Sequence, residues 1–412
     1  MKKQFLLILH ILLPLASAFA EEVEIDGIMY DIVKKVKQAT VISNGANGSY
    51  SGNLFIPASI EYEGDTYSVT SIAARAFYYC TNLTSISIPN SVTTIGGGAF
   101  QGCTGLTSIA IPNSVTRIDG GVFYGCTGLV SVTIPESVTS IGNCAFYECT
   151  GLVSVTIPDS VIDISMEAFQ GCTGLISLTI SNSVTYLGWS AFYGCTSLTS
   201  LTIPNSVTHL GGFSGCTSLT SITIPNSVTT IGGSAFEGCT SLTSVTIPNS
   251  VTSICGRAFS NCTGLTTVII GSGVKSIGSY DDGATNNSFA NCPELTDVYC
   301  YAENVPNTYN YTFEGSYVEY ATLHVPEGSV KKYKQAEPWN AFKNIVALTD
   351  EELGIRATAA QVVAVRYYDL AGKELAAPTE GINIVVTEYE GGRTEVKKMT
   401  NSIYSEKTDR WQ

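Results

Sequence analysis

A unit of 23 residues recurs about ten times in this chain, and this repetition constrains the fold more than any other feature. One copy reads CTSLTSITIPNSVTTIGGSAFEG and runs from Cys216 to the residue before Cys239. The apolar side chains of one unit are too few to form a core alone, whereas stacked units bury a continuous core. The sequence therefore predicts a solenoid in which each unit forms one coil.

The apolar positions of the unit predict two short strands and a turn. Residues 219–224 end in an alternation that predicts a strand with its isoleucines inward. Pro225 ends this strand because proline cannot donate to a parallel ladder. Residues 228–231 predict a second extended piece, and residues 234–239 are long enough for about one helical turn. A period of about 20–29 residues is typical of leucine-rich repeats.

Ten of the thirteen cysteines occupy one position of the repeat. They are Cys80, Cys103, Cys126, Cys149, Cys172, Cys195, Cys216, Cys239, Cys262 and Cys292. Stacked coils bring their Cα atoms about 5 Å apart with parallel side chains, a geometry that disfavours disulfides. We therefore expect buried free thiols that behave as small apolar side chains. A pairing of Cys292 with Cys300 stays open.

The first twenty residues have the pattern of a secretory signal peptide. Lys2 and Lys3 give a positive start, residues 5–15 form an apolar run, and residues 18–20 give a small-x-small cleavage site. No later segment approaches 18 consecutive apolar residues, so no membrane span is expected. We expect an exported protein that is extracellular or lies on the outer cell surface.

The rest of the chain divides by its repeat pattern. Residues 21–79 are turn-rich and predict an N-terminal cap, which would cover the apolar core and the strand edge of the first coil. Residues 80–298 form the regular array, and residues 299–348 predict a C-terminal cap. A linker follows over 349–360, and residues 361–412 predict a small β module.

Six tyrosines crowd the predicted C-terminal cap. They are Tyr299, Tyr301, Tyr309, Tyr311, Tyr317 and Tyr320. We expect them to fill an irregular core, and a binding platform is the alternative. A strand over 321–325 and a helix from 329 to about 336 are expected after them.

No catalytic constellation is apparent, so we expect neither an enzyme nor a cofactor. Only His209 and His324 lie beyond the signal peptide, and no nucleophile, dinucleotide or phosphate-loop motif occurs. The net charge of −14 argues against nucleic acid and anionic membranes as partners. Asp281 and Asp282 lie in a long polar loop; we expect a solvated loop, with calcium binding as the alternative.

The repeated unit L-x-x-I-x-I-P-x-S-V-x-x-I-G-x-x-A-F-x-x-C resembles the BspA-like family of leucine-rich repeats. Residues 106–126 and 242–262 match nearly every fixed position, and the resemblance covers about residues 80–348. It implies a secreted or cell-surface protein of anaerobic bacteria, mostly of the Bacteroidetes group. It also implies adhesion to host matrix proteins, coaggregation or ligand capture, without enzymatic activity. The tail over 361–412 is similar to the C-terminal sorting or attachment modules of such bacteria.

The outward face of the first strand is a candidate binding surface because it carries two rows of hydroxyl side chains. The serine row is Ser85, Ser108, Ser131, Ser154, Ser177, Ser200, Ser221 and Ser244. The threonine row is Thr133, Thr156, Thr179, Thr202, Thr223 and Thr246. Such a flat, neutral face can meet a protein, a glycan or ice; alternatively, threonine simply suits exposed strands.

Two further sets of residues depart from the repeat and are candidate binding residues. Val130, Val153 and Ile176 replace threonine in three successive units, and we expect them to adjoin and to be partly buried. A second set is an aromatic row on the opposite side: Tyr124, Tyr147 and Tyr193, with Tyr78 and with Trp189 nearby. Exposed aromatic residues are enriched at interfaces, although single surface tyrosines are common.

The sequence thus predicts a non-enzymatic surface or secreted protein that binds or adheres to host proteins or to other cells. The expected partner is a host or bacterial surface protein, or a glycan. The alternative function is a carbohydrate-binding accessory protein at the outer membrane.

Overall fold

The computed structural model describes residues 21–45, 49–279, 287–349, 352, 362–368, 373–375, 381–389 and 394–401. The predicted signal peptide, the Asp281–Asp282 loop and most of the predicted linker lie outside the described residues. The chain divides into two compact units between Val346 and Ala347.

A small sheet begins the first unit. It contains β1 (Glu21–Ile25), β2 (Ile28–Val33), β3 (Gln38–Val41), β5 (Ser59–Tyr62) and β6 (Asp65–Ile72). The neighbouring strand is β4 (Gly52–Phe55). β1, β2 and β3 pair antiparallel, and β3 then pairs in parallel with β6. This switch from antiparallel to parallel pairing starts the solenoid, because β6 accepts the next strand of the array in parallel.

The solenoid is built from two short strands per coil. In chain order they are β7 (Leu83–Ser87), β8 (Thr94–Ile95), β9 (Ser108–Ala110), β10 (Arg117–Ile118), β11 (Ser131–Thr133), β12 (Ser140–Ile141), β13 (Ser154–Thr156), β14 (Asp163–Ile164), β15 (Ser177–Thr179), β16 (Tyr186–Leu187), β17 (Ser200–Thr202), β18 (His209–Leu210), β19 (Ser221–Thr223), β20 (Thr230–Ile231), β21 (Ser244–Ile247), β22 (Ser253–Cys255), β23 (Thr267–Ile270), β24 (Ser276–Ser279), β25 (Asp297–Cys300), β26 (Thr322–Val325) and β27 (Asn344–Ala347). The odd-numbered strands up to β25, with β26 and β27, are the first strands of their coils.

Neighbouring coils pair in parallel and in register. Ser131 lies opposite Ser108, and Ile141 lies opposite Ile118 and Ile164. The predicted leucine-rich repeat solenoid is confirmed, with about twelve turns of about 23 residues. It exceeds the predicted ten units because segments assigned to the caps also coil.

The third side of each coil differs from the sequence-based expectation. In place of one helical turn, residues 233–238 form consecutive turns. The Phe236 N–H donates to the Ala258 carbonyl of the next coil (2.8 Å), and the Cys239 N–H donates back to the Phe236 carbonyl (3.2 Å). Gly238 takes a left-handed φ of 72°, a conformation that favours glycine. A helix would keep these donors within the coil, whereas this arrangement sends alternate donors to the neighbour.

Phenylalanine rings form a continuous stack through the core. The stack contains Phe77, Phe100, Phe123, Phe146, Phe169, Phe192, Phe213, Phe236, Phe259, Phe289 and Phe313. Successive ring centroids are 4.9–5.9 Å apart and the ring planes differ by 3–17°. The stack ends where rings tilt: Tyr50 lies at 58° to Phe77, and Phe342 lies at 86° to Phe313.

A column of thiols runs beside the rings, and none of the thirteen cysteines, all of which lie among the described residues, forms a disulfide. Nine thiols donate to the phenylalanine carbonyl of the preceding coil at 3.0–3.4 Å: Cys103, Cys126, Cys149, Cys172, Cys195, Cys216, Cys239, Cys262 and Cys292. The thiol of Cys300 instead contacts the Tyr333 hydroxyl (3.2 Å). The thiols thus do more than fill space, since they link coils.

The C-terminal cap contains short helical segments. These are 3-10 turns at Val318–Tyr320, Glu327–Ser329 and Trp339–Ala341, and helix α1 (Val330–Gln335). The cap core is filled by Tyr333, Trp339 and Phe342, which are buried.

The expectation that the six cap tyrosines fill this core is wrong for four of them. Tyr301 is buried, but Tyr309, Tyr311, Tyr317 and Tyr320 are 41–85 % exposed. The physical reason is that rings from α1 and the last 3-10 turn already close the end of the phenylalanine stack.

The second unit is a small antiparallel sheet. Its strands are β28 (Val362–Tyr368), β29 (Glu374–Leu375), β30 (Gly381–Tyr389) and β31 (Thr394–Asn401), in the order β29-β28-β30-β31. The predicted β module is thereby confirmed.

We expect Phe169→Ala to lower the free energy of unfolding by about 3–5 kcal/mol, because it removes a buried ring between two stacked neighbours. The neighbouring centroids lie 4.9 Å (Phe146) and 5.3 Å (Phe192) away. Urea denaturation followed by circular dichroism measures this loss. Tyr193→Ala, at an exposed position, is the control and should change stability by less than about 0.5 kcal/mol. Equal effects of the two changes would contradict the stacked core.

We expect Cys144 to react with a thiol-labelling reagent well before the column cysteines. Burial and the Glu167 carboxylate, 3.4 Å from its sulfur, raise the pKa of Cys144 to about 11. Below that pKa its thiolate fraction, and hence its labelling rate, rises about tenfold per pH unit. Glu167→Gln should lower the pKa and speed labelling at fixed pH. Peptide mass spectrometry locates the label; rapid labelling of Cys172 in the folded protein would refute the buried column.

Candidate binding surfaces

The hydroxyl rows of the first strands face solvent as the repeat predicts. The outward residues of β9, β13 and β17 are exposed, while their central residues are buried. The rows change character at the C-terminal end, where Ile269, Tyr299 and His324 occupy successive positions of the threonine row. The Tyr299 and His324 rings stack at 4.3 Å, and His324 Nε2 lies 3.3 Å from an Asp297 carboxylate oxygen.

The apolar run at the start of the first strands is exposed. Val130, Val153 and Ile176 are 49 %, 41 % and 54 % exposed, so the expectation of partial burial is wrong. They do adjoin: the Val153 N–H donates to the Val130 carbonyl (3.2 Å), and the Ile176 N–H to the Val153 carbonyl (2.9 Å). Their side chains point outward because the preceding leucines already fill the core at this level.

Other coils place threonine at this position, and its hydroxyl has a structural partner. The Thr220 hydroxyl donates to the Thr199 carbonyl one coil earlier (3.1 Å), and Thr266 does the same to Thr243 (3.0 Å). The three aliphatic residues give up this bond and expose methyl groups instead. We name Val130, Val153 and Ile176 the aliphatic patch.

A second exposed apolar group surrounds Trp189, and sequence reasoning identified only its tryptophan. Ile162, Met166, Tyr186 and Trp189 are 41–59 % exposed. Met166 and Trp189 hold the same position in neighbouring coils, since the Glu167 N–H donates to the Trp189 carbonyl (3.0 Å). A comparison of the units also singles these residues out, because most other coils carry polar residues or glycine at these positions. We name these four residues the tryptophan patch.

The tryptophan patch borders an irregularity of the solenoid. The coil between Cys195 and Cys216 has 21 residues, and the Phe192 N–H donates to Gly212 (2.9 Å), so this coil lacks counterparts of Trp189 and Ser190. The second-strand sheet is interrupted at the same place: β10, β12, β14 and β16 form one sheet, and β18, β20, β22 and β24 form another. The coil after Trp189 is therefore two residues shorter at this position.

The predicted tyrosine row forms only in part. Tyr124 and Tyr147 stack with centroids 4.6 Å apart and planes 5° apart. Gln170 follows in the next coil and donates from Nε2 to the Tyr147 hydroxyl (3.3 Å). Tyr193 is 45 % exposed and lies one coil beyond Gln170. The row is therefore a stacked pair and a separate ring.

A groove lies in the C-terminal cap. Its volume is about 350 Å³, and it is lined by Pro293, Glu294, Leu295, Thr296, Tyr317 and Tyr320. The sequence predicts that Tyr317 and Tyr320 fill the core of the cap, whereas both are exposed and line this groove.

The two histidines beyond residue 20 have different neighbours. His209 is exposed, and its Nδ1 lies 3.1 Å from the neighbouring Thr208 hydroxyl, while His324 Nε2 lies 3.3 Å from an Asp297 carboxylate oxygen. Among the described residues no three histidine, cysteine, aspartate or glutamate side chains are grouped as a metal site would require. Within the same residues, no helix is long and apolar enough to cross a bilayer.

The parallel coils, the inward leucine and isoleucine positions and the 23-residue period define a leucine-rich repeat protein. The chain belongs to the family described as BspA type leucine rich repeat region (6 copies). This family matches residues 58–176, 119–213 and 211–347.

Two solved structures show the same fold. A leucine-rich repeat protein from Bacteroides ovatus is 26 % identical, with a TM-score of 0.54 over 79 % of this chain and 100 % of that chain. A leucine rich cell surface protein from Faecalibacterium prausnitzii is 25 % identical, with a TM-score of 0.50 over 81 % of this chain and 97 % of that one. The comparison with curated proteins found no match.

We expect the triple change Val130→Thr, Val153→Thr and Ile176→Thr to leave the free energy of unfolding within about 0.5 kcal/mol of its original value. The replaced side chains are exposed, and threonine regains the hydroxyl bond made in other coils. Urea denaturation provides the measurement, with buried Leu152→Thr as the destabilising control. A loss of several kcal/mol in the triple variant would show that the aliphatic patch serves packing instead of contact.

Proposed function

We propose that this protein is a non-enzymatic, exported binding protein that adheres to proteins of host or bacterial cells through its middle coils. One observation carries the proposal: exposed apolar side chains concentrate between Val130 and Tyr193, at positions where most other coils hold polar residues or glycine. These residues do not fill the core, so stability of the solenoid does not explain them.

The composition of the two patches favours a protein partner. Tryptophan, tyrosine and methionine are enriched at protein interfaces, and contiguous exposed apolar surface is uncommon on monomers that bind nothing. The aliphatic patch spans three coils and the tryptophan patch two. Such surfaces supply the central apolar contacts of an interface.

Export and surface location are part of the proposal. The first twenty residues have the pattern of a signal peptide, and the Faecalibacterium relative is described as a cell surface protein.

A carbohydrate-binding accessory role at the outer membrane is the second candidate. It is favoured by the exposed serine and threonine rows, which offer regularly spaced hydroxyl groups on a flat face. Saturable glycan binding in the absence of any protein ligand would select this function.

The chain from residue 21 onward, tested on immobilised matrix proteins and glycans, should bind at least one protein. The Val130→Thr, Val153→Thr, Ile176→Thr variant and Trp189→Ser should each weaken that binding about tenfold or more, as expected for residues central to an interface.

The matched control is Thr133→Ala, Thr156→Ala and Thr179→Ala, which alters the same coils on the hydroxyl row and should leave protein binding unchanged. The absence of any protein ligand on a broad panel would contradict the proposal. A selective effect of the control on glycan binding would favour the second candidate.

A further inference from the structure

The groove of the C-terminal cap is separate from both patches and is built from two neighbouring coils. One wall follows Cys292 and comprises residues 293–296, and the other carries Tyr317 and Tyr320. Its volume of about 350 Å³ is within the range of small-ligand pockets, about 300–1,000 Å³. The groove can therefore admit a side chain or a small ligand.

The two tyrosines are placed on the same side by the backbone. Tyr317 takes a left-handed conformation (φ 47°, ψ 39°) immediately before the 3-10 turn Val318–Tyr320, and the Tyr320 N–H donates to its carbonyl (3.0 Å). Both rings line the groove. Left-handed tyrosine is strained and is held only where the surroundings impose it. Tyr317 is 57 % and Tyr320 85 % exposed, although the fold hides rings elsewhere in the cap.

Hydrogen bonds fix the two walls to each other. The Cys292 N–H donates to the Ser316 hydroxyl (2.9 Å), and that buried hydroxyl donates to the Phe289 carbonyl (2.5 Å). At the other end of the groove the Thr322 N–H donates to the Thr296 carbonyl (2.8 Å). The groove is thus preformed, which lowers the entropic cost of binding.

The lining offers acceptors and ring faces. Glu294 is its one charged side chain and stands where other coils have residues such as Gly128 or Ser218. The Thr296 hydroxyl already donates to the Thr266 carbonyl (3.2 Å). An ammonium group donates to acceptors and lies favourably over aromatic faces, so a carboxylate beside two tyrosine rings suits it. The net charge of −14 favours a cation as well.

We propose that this groove binds a lysine side chain in a basic segment of a partner protein. The ammonium group meets the Glu294 carboxylate, and its methylene stem lies against Tyr317 and Tyr320. The inference rests on the proposed function in that it assumes a protein partner, and it adds a second contact that recognises charge.

The test is fluorescence anisotropy of the chain from residue 21 onward with a fluorescein-labelled peptide of alternating glycine and lysine. The same peptide with acetylated lysines is the ligand control, because acetylation removes the charge and keeps the stem. Glu294→Gln and Tyr320→Ala are the groove variants. Glu136→Gln and Tyr311→Ala are the matched controls, since both residues are exposed and neither lines the groove.

We expect acetylation and each groove variant to weaken binding about fivefold or more, and the matched controls to leave it unchanged. Binding that resists acetylation, or that falls equally in groove and control variants, would overturn the proposal and indicate a diffuse attraction to the acidic chain. Circular dichroism confirms that the variants fold. Loss of matrix-protein binding in the aliphatic-patch variant, with binding by the groove variants unchanged in both assays, would remove the groove and keep the proposed function. Loss of peptide binding in the groove variants, with matrix-protein binding unchanged in the aliphatic-patch variant, would keep the groove and contradict the proposed function.

Discussion

The distance between stacked coils is the constraint on which the rest of this structure depends. Phenylalanine rings repeat at 4.9–5.9 Å, close to the spacing of hydrogen-bonded strands, so rings and backbone ladders share one spacing. A side chain can therefore repeat in every coil only if it packs favourably against its counterpart in the next coil. Phenyl rings meet this requirement in parallel, and thiols meet it by donating to a carbonyl one coil away. Hydroxyl groups of threonine meet it in the same way on the surface.

This constraint explains which features the sequence predicts well. Inward positions repeat because each must match the coil before it, and so the strands, the core and the coil period follow from residues such as Leu219 and Ile222. The third side of each coil is harder to predict. Its local residue pattern is that of a helical turn, but the backbone of Phe236 and its neighbours hydrogen-bonds to the next coil. The thiol bonds are likewise invisible in the sequence, since cysteine in a core suggests only a small apolar side chain.

The candidate binding surfaces are harder to predict from the sequence than the core. Val130 and its neighbours are visible as departures from the repeat, but their exposure depends on which way the strand faces. Ile162, Met166 and Tyr186 are departures of the same kind at positions where no run of similar residues marks them. The groove of the C-terminal cap depends on a left-handed tyrosine and on a buried serine that ties two coils together, and neither has a sequence signature. Predictability therefore decreases from the core to the irregular ends.

Because each coil contacts only its neighbours, the solenoid has a mechanical consequence when its two ends are pulled apart. Tension along the chain loads the ladder one coil at a time, so coils detach in sequence from an end and not all at once. Each detached coil of 23 residues releases about 80 Å of extended chain. Free thiols let every coil extend fully, since no covalent crosslink limits the release. Under such a load the array lengthens one coil at a time, while the remaining coils stay folded.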